Sequence, residues 1–183
     1  AAVCMVAKVG SDLFGPATIK NFESFGIDAR HVRMVEGVSS GVAPIFVDPS
    51  GQNRIIVVKG ANDALLSQDV DLAAPVLQQA GCIVMQFEVP LPTVYHTIRF
   101  AKLHGIHCIL NPAPGLPVDI QEVAAVDYFI PNESEAEVIS GMPVHSIDDA
   151  RNCAAFFLRQ GIRRVVITLG KRGCLLADPT AWN

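Results

Sequence analysis

Asn132 and Glu135 stand three residues apart, just behind the apolar run that ends at Ile130, within Asn132-Glu133-Ser134-Glu135-Ala136-Glu137. Once a helix starts there, a carboxamide and a carboxylate share one face of its first turn. Oxygen groups so placed suit a hydrated Mg2+ beside phosphate oxygens, because this ion prefers oxygen ligands and keeps most of its waters. The same spacing is also a capping box, in which the two side chains satisfy orphan amides and no ligand is needed. A second stretch, Thr168-Leu169-Gly170-Lys171-Arg172-Gly173, lies between two apolar runs. Glycines at both ends of a short turn let the backbone come close to a phosphate and aim amides at it. A plain β-hairpin loop reads the same way, and Lys171 and Arg172 are either steering charges for phosphates or solvated turn residues. Neither a Walker sequence nor the Gly-x-Gly-x-x-Gly dinucleotide fingerprint occurs.

The elements that must position these residues follow from hydrophobic spacing. Val3 to Val9 is a valine-rich strand, and Phe14 to Phe25 has helical periodicity that stops at Gly26. Val32 to Val35, Val42 to Val47 and Arg54 to Val58 are short β-type runs, the last two flanking the turn-forming Asp48-Pro49-Ser50-Gly51-Gln52-Asn53. They are expected to form a small antiparallel sheet, a lid within residues 32–62. Beyond Gly60, strands at Cys82 to Phe87, His107 to Leu110, Tyr128 to Ile130 and Arg164 to Thr168 alternate with helices near Asp69 to Gln79, Thr93 to Leu103, Glu133 to Ile139 and Asp148 to Gln160. Such alternation predicts an α/β fold whose mainly parallel sheet is covered on both faces. Ligands of these sheets bind at the carboxyl ends of the strands. Polar groups recur there: Gln86 and Glu88, Asn111, Asn132, and Thr168. Singly, Glu88 is an ordinary surface carboxylate and Asn111 a turn residue; together they indicate one shared cleft.

Half of the 183 residues are hydrophobic, enough to bury a sizeable core. The net charge of −4, with both signs interspersed, offers no basic stripe for nucleic acid and no polybasic membrane anchor. No apolar run approaches the roughly 20 residues that span a bilayer, so a cytosolic protein without membrane partners is expected. Five widely spaced cysteines without a Cys-x-x-Cys pair suggest reduced core thiols. His104-Gly105-Ile106-His107-Cys108 falls at a helix-to-strand turn and lacks the convergent ligands of a metal site.

Taken in order, Val9-Gly10-Ser11-Asp12 with Phe14-Gly15, Ser40-Gly41-Val42-Ala43, Gly60-Ala61-Asn62, Asn111-Pro112-Ala113-Pro114, Asn132 to Glu137, and Thr168-Leu169-Gly170 with Gly173 resemble the ribokinase branch of the PfkB-type carbohydrate kinases over essentially the whole chain. The resemblance implies a three-layer α/β sandwich with a small antiparallel β lid, residues 1–183 forming part of such a domain. It implies transfer of the γ-phosphoryl group of ATP to a sugar, D-ribose giving ribose 5-phosphate, with Mg2+ and, for an intact family member, K+. Glu88 would then bind sugar hydroxyls, with Ala43 and Ile45 of the lid covering the sugar. Asn132 would lie near the nucleotide phosphates, Glu135 would organise the metal and its waters, and Thr168, Leu169, Gly170, Lys171, Arg172 and Gly173 would line the ATP site.

The family's early glycine-rich motif and its late Gly-Ala-Gly-Asp motif, which supplies the catalytic base, have no counterpart here. No aspartate of this chain takes that role, and an internal piece of a kinase with little activity of its own is expected. The exposed β edges of the lid favour a homodimer. Alternatives are a kinase for another sugar or a nucleoside, and a non-catalytic sugar- or nucleotide-binding homologue. A nicotinamide oxidoreductase fits less well without the glycine fingerprint.

Overall fold

The computed structural model describes residues 1–180, in two compact units. One unit comprises Ala1–Val76 with Glu88–Thr93, the other Leu77–Phe87 with Val94 to the carboxyl end.

In the first unit, β1 (Cys4–Gly10) leads through α1 (Phe14–Ser24) to β2 (Asp28–Val35), which pairs with β1 in parallel. The helix ends as its sequence dictates, with Gly26 at φ +70°. It begins close to the strand before it: a Cβ on Gly15 would lie 1.9 Å from the Gly10 carbonyl oxygen. Only glycine permits that approach. β3 (Ile45–Val47) and β4 (Asn53–Ile55) form the antiparallel lid, its turn closed by Asp48, whose carboxylate accepts from the Ser50 amide and hydroxyl and the Gln52 amide. A 3-10 turn (Gly60–Ala64) and α2 (Ser67–Leu72) follow, and Lys8 of β1 meets Asp69 of α2 at 2.6 Å, both largely buried.

Two expectations fail here. The Val32 to Val35 run is not part of the lid but the end of β2, since its register continues the parallel ladder to Gly10↔Val35. The helix predicted over Asp69 to Gln79 is two pieces, α2 and α3 (Ala74–Leu77). Pro75 offers no amide to carry the ladder across the break.

The second unit is a five-stranded sheet in the order β5-β6-β7-β8-β9, built from β5 (Cys82–Met85), β6 (His107–Leu110), β7 (Tyr128–Phe129), β8 (Val165–Thr168) and β9 (Cys174–Ala177). The first four run parallel, and β9 returns antiparallel to β8. The connections carry α4 (Leu91–His104), α5 (Ile120–Val123), α6 (Glu133–Ser140) and α7 (Ile147–Arg159). Predicted strand bounds overrun by one or two residues, because Phe87 and Ile130 fall just beyond their ladders. The core is Phe87, Ile98, Leu110, Phe129, Phe157, Val165 and Ile167, all at most 1% exposed. Phe157 of α7 meets Phe129 of β7 edge to face, ring centroids 5.0 Å apart. Each such ring adds about 1.5–3 kcal/mol by burial, which is how a two-residue strand is held in place.

Candidate functional site

The carboxyl ends of three parallel strands of the second unit meet at a small cavity of about 120 Å3, lined by Asn111, Ile130, Asn132, Glu135 and Thr168. Asn111 follows β6 and donates its amide to the Met85 carbonyl at 3.0 Å. Ile130 follows β7 and donates to the Leu110 carbonyl at 2.8 Å, and the Thr168 amide donates to the Pro131 carbonyl at 2.9 Å. These backbone bonds extend the ladders by one step and fix where the polar side chains emerge.

Asn132 is the N-cap of α6, with extended backbone, and its Oδ1 accepts from the Glu135 amide at 2.8 Å. Glu135 answers with both oxygens: Oε2 accepts from the Asn132 amide at 2.8 Å and Oε1 from Asn132 Nδ2 at 2.9 Å. The capping box is therefore complete, and Glu135 is only 8% exposed. Its carboxylate keeps acceptor capacity beyond these two bonds, since two oxygens offer about four positions, and Glu135 lines the cavity. Gly115 makes room for this arrangement, because a Cβ there would sit 3.0 Å from Glu135 Cα. Behind the helix, burial pushes the Cys153 thiol up, and its Sγ packs 3.3 Å from Ser140 Oγ. That cysteine anchors α6; it is no nucleophile.

The donor set fits Mg2+ held through water. Among the described residues no three His, Cys, Asp or Glu converge as a metal cage, yet two carboxamides, a carboxylate and a hydroxyl border one cavity, as an ion that retains its hydration shell requires.

The turn after β8 uses part of its backbone to close itself. The Leu169 amide donates to the Gly173 carbonyl, Arg172 to Leu169 and Gly173 to Gly170, so these amides close the 3-10 turn Gly170–Arg172 on itself. Gly170 and Gly173 take φ of +56° and +90°, which explains both glycines by the hairpin. Leu169 is buried and Lys171 exposed, while Arg172 is paired with Glu133 and donates to the His145 carbonyl. Arg172, though exposed, thus ties the turn to the start of α6.

The remaining expected residues lie in the first unit. Ala43 and Ile45 are exposed on the lid, Ala43 just after the Val42↔Val58 bridge and Ile45 at the start of the β3–β4 ladder, opposite Ile55. Glu88 is half-buried in the segment that follows β5. A larger cavity of about 380 Å3 lies at the opposite, amino ends of the strands, against Lys102, His107, Asp127 and Arg163. Asp127 there accepts from the Cys108 amide at 3.0 Å and pairs with Arg163 at 2.9 Å. Its charges are engaged structurally, at the end of the sheet that does not serve ligands.

A model of the pfkB family carbohydrate kinases matches residues 1–181. The chain belongs to that family. Among curated members, a deoxyribokinase of Salmonella typhi is 45% identical over 174 residues, covering 94% of this chain and 57% of its own length. A ribokinase of Staphylococcus aureus is 35% identical over 172 residues, again 94% of this chain and 57% of its own length. The chain therefore spans a little over half the length of the relatives it matches. The solved structure of Arabidopsis thaliana ribokinase complexed with ribose and ATP superposes with a TM-score of 0.88 at 25% identity, covering 98% of this chain and 59% of that one. The ribokinase-like α/β sandwich with its small antiparallel sheet is thereby established for this pfkB family chain. Sequence reasoning overlooked the role of Gly115; the run Pro112 to Pro117, dense in proline and glycine, marks a turn but not its contact with Glu135.

Proposed function

We propose that this chain belongs to a pentose kinase, which transfers the γ-phosphoryl group of ATP to a hydroxyl of 2-deoxyribose or ribose. The observation that carries the reading is the convergence of Asn111, Asn132, Glu135 and Thr168 on one cavity at the carboxyl ends of parallel strands, in a chain of a carbohydrate kinase family. Phosphoryl transfer needs little covalent chemistry from the protein; it depends on positioning and charge neutralisation. Asn132 is oriented by Glu135 to present its carboxamide beside the phosphates, and Thr168 adds a hydroxyl. Glu135 holds the water shell of Mg2+, which supplies charge neutralisation when bound with the nucleotide. Leu169 to Gly173 form the wall of the nucleotide site, with Arg172 clamped by Glu133. On the sugar side, Glu88 accepts from sugar hydroxyls, and Ala43 and Ile45 cover the ring.

The higher identity to the deoxyribokinase favours 2-deoxyribose as acceptor, and D-ribose, giving ribose 5-phosphate, is the second reading. K+ raises the rate in the intact enzyme, which works in the cytoplasm. The apolar lid, with Ile45, Phe46, Val47, Ile55 and Ile56 all more than half exposed, forms a homodimer. No aspartate here takes the role of the base, so residues 1–183 alone bind nucleotide but turn over slowly; a positioned base normally contributes about 10²–10⁴-fold.

The test is calorimetric binding of Mg2+ and ADP to the 183-residue chain, followed by ADP release from ATP with 2-deoxyribose, ribose, fructose or no sugar. Nucleotide binding that Asn132→Ala weakens at least about tenfold is expected. A folded chain that binds no nucleotide overturns the reading, and fast pentose-dependent turnover overturns the statement that the base is missing.

A further inference from the structure

Asp12 is a hub that the phosphoryl-transfer chemistry leaves unused. Its Oδ1 accepts from the Phe14 and Gly15 amides at 3.1 Å each, at the start of α1, and from the Ser40 hydroxyl at 2.7 Å. Its Oδ2 accepts from the Ser40 amide at 2.8 Å. The Ser40 hydroxyl oxygen in turn accepts from the Gly10 amide at 3.0 Å, and Ser40 is 4% exposed. These bonds to Ser40 and the helix start hold the Asp12 carboxyl below the usual range, so the hub is charged at neutral pH.

The segment so gripped is the stem of the lid. Immediately after Ser40 the chain crosses Gly41 into the Val42↔Val58 bridge, in which each amide donates to the other's carbonyl at 2.9 Å. The returning leg is held from the other side, where the Ala61 amide donates to the Ser39 carbonyl at 2.8 Å. Glycines seal the join: a Cβ on Gly10 would lie 2.3 Å from the Ser40 amide nitrogen, and one on Gly60 would lie 2.5 Å from the Ser39 oxygen. Beyond this stem the lid is held by the Ile56 amide, which donates to the Pro44 carbonyl at 3.1 Å, and by the short β3–β4 ladder, so its direction is set where it is rooted.

We propose that Asp12 and Ser40 are positioning residues for the sugar: they fix the root of the lid and thereby the place where Ala43 and Ile45 are presented. This rests on the pentose kinase reading. Cutting the anchor loosens the stem while the second unit keeps its own core, so sugar affinity falls and nucleotide affinity does not.

The test is hydrogen–deuterium exchange on the 183-residue chain and its Ser40→Ala and Asp12→Asn variants, with calorimetric binding of 2-deoxyribose, ribose and Mg·ADP. Ser40→Ala is expected to speed exchange at Val42, Ile56 and Val58 by about tenfold and to weaken pentose binding by a similar factor. Mg·ADP binding stays within about twofold, and the Phe14 and Gly15 amides quicken only in Asp12→Asn. The double variant is expected to fall short of the sum of the two single effects, since the Asp12–Ser40 bonds are lost only once. Ser11→Ala, which removes only the bond from the Gly37 amide, leaves the stem amides unchanged. Unchanged stem exchange in a folded Ser40→Ala chain, or pentose and nucleotide affinities that fall together, overturns the proposal. Should Ser40→Ala not fold, Asp12→Asn, which keeps the side-chain shape, decides by the same amides. A parent chain that binds nucleotide but no pentose defeats the sugar reading, while the stem exchange still reports separately on the anchor.

Discussion

Glu135 does two things that can be separated by chemistry. Its carboxylate completes the cap of α6, and the functional reading gives the same group the water shell of a metal. Glu135→Gln keeps one acceptor for the cap and removes the charge. A stability loss of about 1 kcal/mol in urea is expected, together with loss of the Mg2+ dependence of nucleotide binding. Glu135→Ala is expected to lose both, and Mg2+ dependence that survives in Glu135→Gln would leave only the cap. Gly115→Ala pushes a methyl group against the Glu135 backbone, and destabilisation of about 1–3 kcal/mol is expected on the same urea scale. Thiol chemistry reports on the packing around these residues. Burial, with the Asp127 and Cys82 charges adding to it, drives the Cys108 thiol up to about 12. The thiolate is the reactive form, so Cys108 stays unlabelled in the native chain from neutral pH until strongly alkaline pH, whereas Cys174, exposed, is open to the reagent. Mass spectrometry after timed alkylation reads both, and early labelling of Cys108 would show that β6 is open.

At the scale of elements, the buried pair of Lys8 and Asp69 pins α2 to β1. Lys8→Met leaves a carboxylate that is 7% exposed with the Leu66 amide but no counter-charge, at a cost of about 3 kcal/mol, and Asp69→Leu added to it should recover part of that loss, since it also gives up the Leu66 bond. Urea titration of the single and double variants checks this. Most elements were legible from apolar spacing: β6 matches its predicted run, and α6 and α7 differ from theirs by about a residue at an end. The failures have physical causes. Val32 to Val35 has the same β-type composition whether it pairs with β1 or with a lid strand, and only the partner, remote in sequence, decides. The break before Pro75 was written in the sequence but was outvoted by the surrounding periodicity. In the candidate site, Asn132 and Glu135 were legible because their spacing is local. The Arg172 pair with Glu133 was not, since 39 residues separate the partners.

For the whole molecule, the exposed apolar lid predicts self-association. Phe46→Asp places a charge on the lid, and a shift from dimer to monomer in sedimentation velocity is expected with the β5–β9 sheet intact by circular dichroism. A chain that sediments as a monomer before the substitution would assign the lid's apolar surface to ligand cover alone. The division of the chain carries a different consequence. The backbone passes between the units at residues 76/77, 87/88 and 93/94, so no single cut releases either one whole. A protease nick at 87/88 leaves both units built from two fragments, and one at 76/77 or 93/94 leaves one unit so built, so the nicked species should travel as one until denatured. Heritable rearrangement faces the same topology: neither unit can be exchanged as a cassette, and Glu88 is only one peptide bond removed from the segment of the second unit that ends at Phe87.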